Sequence, residues 1–234
     1  MIKKILSTLL VSSALLVFAA TGTMAERPTF AIGYTAAYGG YEATGQENEG
    51  KDSPQEINKT SEAAEIGYSS IFIEVSFADR VTVGASWMVD GVTTTMQSRT
   101  DTDPIPNPVA ANAGVDTGTS TVKAEFENLI TGYVELNIWN GLYAKYGIME
   151  MDVNTQESLH TDSSYPNTTM DGQTYGFGWK GLFDNGVFIK TETLMQDWSD
   201  IKIEASGMTA DDNNTSVEAS LSGAVATISI GKAF

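Results

Sequence analysis

The chain of 234 residues contains no cysteine, one histidine and six prolines. No cysteine means no disulfide framework and no thiolate metal site. One histidine, His160, makes a catalytic zinc site, which needs about three protein ligands, a poor fit. Basic residues are scarce, 13 against 30 acidic, for a formal net charge of −17. Such a field repels nucleic acid and anionic surfaces and attracts cations, so nucleic acid is excluded as a partner. No cofactor motif stands out either. Gly176-Phe177-Gly178 lies inside a strand pattern with no helix to follow, which rules out a phosphate loop. Beyond the first 20 residues no apolar run reaches the 18 that a membrane-spanning helix requires.

The first residues read differently. Met1-Ile2-Lys3-Lys4 is a basic head, Ile5 to Ala20 an apolar run, and Thr23-Met24-Ala25 a small-residue cleavage signal. This predicts a signal peptide over 1–25 and a mature domain over 26–234. Without Lys3 and Lys4 the basic count falls from 13 to 11 against 30 acidic residues, a charge of −19.

What remains is strand pattern, with period two and no amphipathic helix. Eight strands are predicted: Thr29 to Gly39, Ala64 to Ser76, Arg80 to Asp90, Thr119 to Leu136, Leu142 to Val153, Gln173 to Gly181, Gly186 to about Ala205, and Thr215 to Phe234. In the second, Ile66 and Tyr68 are out of phase with Ile71, Ile73 and Val75, which predicts a bulge near Ser69-Ser70. Connections alternate in length. Phe77-Ala78-Asp79, Asn137 to Gly141 and Leu182 to Asn185 are short, and Asn140-Gly141 and Asn185-Gly186 are turn dipeptides. The stretches Gly40 to Ala63, Gly91 to Gly118, Asn154 to Gly172 and Gly207 to Asn214 read as long polar loops. Short turns at one end and long loops at the other suit an eight-stranded antiparallel up-and-down transmembrane β-barrel.

Periodicity alone does not say which face points inward. Three features set the apolar face outward. The opposite face is rich in Gly, Ala, Ser and Thr, which suit the crowded interior of an eight-stranded barrel. Its charges are of both signs, Lys123, Lys145, Lys180 and Lys190 against Glu125, Glu127, Glu135 and Glu192, as a buried lumen requires. Aromatics cluster at the strand ends of the apolar face: Phe30 and Phe234 near the turns, Tyr38 and Trp87 near the loops. In a plain hairpin Lys190 and Glu192 lie across from Gly178 and Gly176, and Lys145 neighbours Tyr133 and Glu135.

Several chemical readings are weak. His160 sits in a loop with Ser158, Ser163 and Ser164, but no strand spacing brings base and nucleophile together. Asp101-Thr102-Asp103, Asp211-Asp212-Asn213, Glu47 and Glu49 are oxygen donors without a calcium-loop spacing, and a solvated acidic surface is the better reading. The Asn-x-Ser/Thr triplets at Asn58, Asn167, Asn213 and Asn214 are read as polar loop composition. Asp103-Pro104-Ile105-Pro106-Asn107-Pro108 predicts an extended segment.

On Asn185-Gly186-Val187-Phe188-Ile189-Lys190, Ile228-Ser229-Ile230-Gly231 and Phe234, the chain resembles the small opacity-type, porin-like outer-membrane barrels of marine alphaproteobacteria, of the same build as the OmpA transmembrane domain. Lys232 departs from the pattern, standing where such strands carry a second apolar residue. The resemblance implies an outer-membrane location, an assembly signal in Ile228, Ile230 and Phe234, and the barrel-assembly machinery and outer-membrane lipid or lipopolysaccharide as partners. It implies a non-enzymatic structural or surface-display role with acidic extracellular loops. The alternatives are a small cation-preferring channel and, third, a lipid-modifying enzyme.

Overall fold

The computed structural model describes residues 28–49, 56–78, 80–94, 97–104, 115–158, 164–204 and 216–234. The signal-peptide expectation, His160, Asp211, Asp212, Asn213 and Asn214 lie outside them.

Eleven β-strands form one antiparallel sheet. They are β1 (Thr29–Glu49), β2 (Glu56–Phe77), β3 (Val81–Met88), β4 (Val92–Thr93), β5 (Gln97–Pro104), β6 (Val115–Trp139), β7 (Leu142–Ser158), β8 (Thr168–Leu182), β9 (Val187–Trp198), β10 (Ile201–Glu204) and β11 (Ser216–Ala233). The ring runs β1-β2-β3-β6-β7-β8-β9-β11 and closes through β1–β11, so eight staves enclose the lumen. The short strands β4 and β5 continue the third stave along β6, and β10 continues the seventh along β11.

The register fixes the tilt. Following cross-strand partners from Phe30 leads through Val75, Val83, Val134, Tyr146, Tyr175, Met195 and Ala224 and returns to β1 at Gly40. One circuit therefore climbs from residue 30 to residue 40. Over eight strands about 4.8 Å apart, with a rise of about 3.3 Å per residue, this is a tilt of ~40°. Ten tilted residues then rise ~25 Å, the height of a lipid-facing band.

The apolar face points outward. Tyr34, Phe177, Ile228 and Ile230 are exposed on the outer wall: Tyr34 45%, Phe177 62%, and the two isoleucines 57% each. Phe30, Trp139, Phe183 and Phe234 gird the turn end, and Tyr38, Trp87, Tyr146 and Tyr175 lie toward the other. The backbone N–H of Phe234 donates to the carbonyl of Phe30 at 2.8 Å, pinning the closing strand. The tight turns sit where the dipeptides predicted, with left-handed φ at Asn140, Gly141 and Gly186.

Two expectations are corrected. The register of β2 against β1 runs unbroken from Ser76 to Glu56, so there is no bulge at Ser69-Ser70. Ile66 and Tyr68 instead face inward, where they pack on Ala37, Tyr41 and Val225. Much of the expected loops is also strand. The β1–β2 ladder reaches Glu49↔Glu56, and β5 pairs β6 as far as Pro104↔Val115.

Candidate functional site

Inside the turn-side half of the barrel, six charged groups meet. Lys190 on β9, 2% exposed, holds Glu74 of β2 at 2.5 Å and Glu135 of β6, with Glu192 at 3.7 Å. Lys145 of β7 bonds Glu192 at 2.9 Å and lies 3.8 Å from Glu135, its direct cross-strand partner. Lys180 of β8 reaches Glu74 at 3.4 Å. Three ammonium groups thus face three carboxylates, and the cluster is formally neutral. Buried charges persist only when paired in this way, because desolvation costs several kcal/mol per ion.

Neutral groups complete the pairing. The hydroxyl of Tyr133 donates to Glu74 at 2.8 Å, that of Tyr143 to Glu192 at 2.8 Å, and that of Thr227 to Glu192 at 3.1 Å. The ammonium of Lys145 stands 3.9 Å from the centre of the Tyr133 ring, and that of Lys180 4.2 Å from that of Phe188. These rings fit because glycine lies beneath them. A Cβ on Gly84 would come within 2.4 Å of Tyr133, and one on Gly178 within 2.4 Å of Tyr143. Phe72 and Phe188, with Ala31, floor the network on the turn side.

Of the eight charges expected in the lumen, Glu135, Lys145, Lys180, Lys190 and Glu192 come together here. Lys123, Glu125 and Glu127 do not, and this is a correction. A bulge in β6 shifts its register against β7 between Glu127 and Ile130, with Asn128 at φ 54°. One extra residue inverts which side chains face inward. Beyond the bulge Phe126 packs against the lumen's methionines, while Glu127 accepts from Asn154 at 2.9 Å and Glu125 from Gln156 at 2.7 Å on the outer side.

Glu74 was missed. Its signal was available: it lies between Ile73 and Val75, so the strict alternation of the lower half of β2 sends it inward. The expected hairpin register is also off by two, since Glu192 opposes Gly178 while Lys190 opposes Lys180. Ile228 and Ile230 face outward beside Ala36 and Tyr34. Lys232 reaches the carbonyl of Asn185, tying the last strand to the β8–β9 turn.

Above the network the lumen turns apolar. Met88, Leu129, Met149, Met151, Val153, Met170 and Trp198 form a buried cluster, with Phe126, Val92, Ile201 and Leu221 packed against it. The ion pairs expected in the lumen therefore occupy one storey and hydrocarbon another. Among the described residues no group of three or more His, Cys, Asp or Glu side chains is placed to hold a metal ion.

No protein-family model matches the sequence, and no curated protein is similar to it. Among solved structures, the chain is similar to the outer membrane protease OmpT of Escherichia coli, at 10% identity over 92% of this chain and 100% of that one, with a TM-score of 0.45. It is similar to the outer membrane protein OprG of Pseudomonas aeruginosa, at 12% identity over 86% and 96%, with a TM-score of 0.45. It is also similar to Neisserial surface protein A, at 10% identity over 86% and 98%, with a TM-score of 0.33. An apolar outer band, a paired lumen and a ring without free edges at that level make this chain a transmembrane β-barrel of the outer-membrane type.

Proposed function

We propose that the protein is a non-enzymatic outer-membrane barrel of the small opacity-type, OmpA-like build, whose closed lumen anchors an acidic strand-built extension outside the cell. One observation carries the reading: the wall is about twice as tall as the membrane band. Strand β1 has 21 residues, β2 has 22 and β6 has 25. At a tilt of ~40° and ~3.3 Å per residue, 21 residues rise ~50 Å, against the ~25 Å a bilayer covers. The protruding half carries Glu42, Glu62, Glu65, Glu125 and Glu127. A rigid, charged palisade on a plugged anchor suits surface display or envelope contact.

The porin-like alternative draws on the acidic surface, which would favour cations. It is opposed by the narrowness of an eight-stranded ring and by the side chains that fill it. A lipid-modifying role has no observation in its favour. Lipopolysaccharide and the assembly machinery remain the partners proposed for the outer wall and the terminal strand.

The chain has no cysteine, so a single introduced thiol is an unambiguous reporter. Thr44→Cys or Ser61→Cys, in the protruding half, should label with a membrane-impermeant maleimide on intact cells. Heat-modifiable mobility in detergent gels should accompany it. Labelling only after the cells are broken would overturn the surface reading.

A further inference from the structure

The storeys of the lumen differ in what they exclude. Between the ion network and the apolar cluster lies a cavity of about 50 Å³. Hydroxyls line it from most of the staves: Thr35 of β1, Ser70 of β2, Ser86 of β3, Thr131 of β6, Thr174 of β8 and Thr227 of β11. Thr174 is 1% exposed, and its Oγ1 has no hydrogen-bond partner in the protein. A buried hydroxyl left without a partner costs about 1–3 kcal/mol. A space of this size with hydroxyls in its wall accommodates about three to five waters, each needing roughly 10–15 Å³.

The storey above is its opposite. Met88, Leu129, Met149, Met151, Met170 and Trp198 come from β3, β6, β7, β8 and β9, and Tyr68 and Leu221 extend the layer to β2 and β11. Each of the six is less than a tenth exposed. Tyr41 donates to Gln196 at 2.7 Å and Gln196 to Tyr68 at 3.2 Å, so the polar groups at the boundary bond one another.

We propose that the hydroxyl-lined cavity is a water site, holding a small cluster bound to Thr174 and its neighbours, and that the methionine-rich layer above it, not the ion network below, is the barrier that closes the lumen. The ion network is itself hydrophilic. Its ammonium and carboxylate groups could exchange partners with a passing ion and with the waters above. The methionine layer has no charged group, and its one unpartnered polar atom is the indole Nε1 of Trp198. An ion crossing it must shed its hydration against one indole N–H and otherwise hydrocarbon and thioether, and a constriction of this kind blocks flow by dewetting. This goes beyond the surface-anchor reading, because a closed barrel displays its extension whichever storey closes it.

The test compares two variants of the full barrel in planar bilayers. Met149→Ser with Leu129→Ser wets the apolar layer. Lys145→Gln with Glu192→Gln keeps the network's volume and charge balance while removing one ion pair. The first should pass ions at least tenfold above wild-type leak, and the second should stay at the wild-type level. Conduction by the second, or silence of both with heat-modifiable mobility retained, overturns the assignment. Should the first variant not fold, the wild-type protein answers by NMR in detergent micelles. Magnetisation should pass from water to the Thr174 methyl and not to the Met149 or Met170 methyls. Water contact at those methionines, or none at Thr174, overturns the proposal equally. Surface labelling at Thr44→Cys is unaffected by either outcome.

Discussion

The two ends of this barrel are built from the same strands and obey different rules. At the turn end every stave has two neighbours and the ring closes. Toward the other end the ladders part into two leaves. One is β10-β11-β1-β2 and the other is β5-β6-β7-β8, and among the described residues no ladder joins β2 beyond Ser70 to β5, or β10 to β8. The difference follows from solvent. Within lipid an unpaired backbone group costs several kcal/mol, so edges are forbidden. In water an edge is hydrated and tolerable, provided charge discourages strand addition. The side chains tell the same story. Alternation is strict at the turn end. In the upper part of β1 and β2 both faces carry small and polar residues such as Ala43, Thr44, Ser61 and Ala64, exposed on either side.

The largest effect expected from breaking this contrast lies in the closed half. Lys190→Met leaves Lys145 and Lys180 facing Glu74, Glu135 and Glu192, two cations against three carboxylates. Removing one member of a buried ion cluster typically costs about 3–5 kcal/mol. Urea unfolding in lipid vesicles should show a loss of that size, or no folded barrel. Adding Glu135→Gln restores balance at two against two, so the double variant should recover more than half the loss. A double variant no better than the single would mean that the network is held by shape rather than charge. A smaller loss, about 1–3 kcal/mol, is expected for Gly178→Ala, which drives a Cβ into the Tyr143 ring. Tyr143→Leu in the same background should relieve part of it.

How much of this was legible beforehand depends on the half. The membrane face of every strand, the strand count and the turn positions followed from period two and from turn chemistry, because the bilayer makes each position choose a side. Lys145, Lys180, Lys190, Glu135 and Glu192 could be placed inward for the same reason. Where the constraint lifts, the reading fails. Lys123, Glu125 and Glu127 continue the alternation of β6 across a bulge that the apolar pattern hides, since Phe126 and Ile130 keep the same parity while facing opposite sides. The upper halves of β1 and β2 carry few apolar residues to betray a strand. The methionine layer was hidden for another reason: Met88, Met149, Met151 and Met170 alternate like the rest of the inward face, and only their meeting across three staves makes a layer.

The bulge marks the boundary between the two halves, and it can be moved. Asn128 stands at φ 54°, in a region that branched residues avoid, and its side-chain amide donates to Asp152 at 2.9 Å. Asn128→Val should cost about 1–2 kcal/mol and Asn128→Gly about half a kcal/mol or less. Deleting Asn128 is more informative. One residue fewer lets β6 alternate without a break, with Glu127 still opposite Asp152 and Phe126 still opposite Val153. Glu127→Cys, reactive to an impermeant maleimide in the parent, should then stay reactive. Protection of that thiol would show that the upper part of β6 slips by one residue against β7.

The smallest effects belong to the open half, and their smallness is the test. Thr44 and Ser220 share a hydrogen bond at 2.6 Å between exposed hydroxyls, and Ser61 donates to Glu42 at 3.4 Å. Water replaces such bonds at little cost, so Thr44→Ala and Ser61→Ala should each change unfolding free energy by less than about 0.5 kcal/mol. Amide hydrogen exchange should rank the two halves directly. Amides of β1 between Ala31 and Gly39, paired on both sides within the ring, should exchange only with global opening. Those of β2 between Ile57 and Tyr68, with one strand neighbour among the described residues, should exchange sooner by local opening, and sooner still toward Glu56. Equal protection along β2 would mean that the outer half is closed by segments beyond the described strands, and the two-leaf contrast would fall.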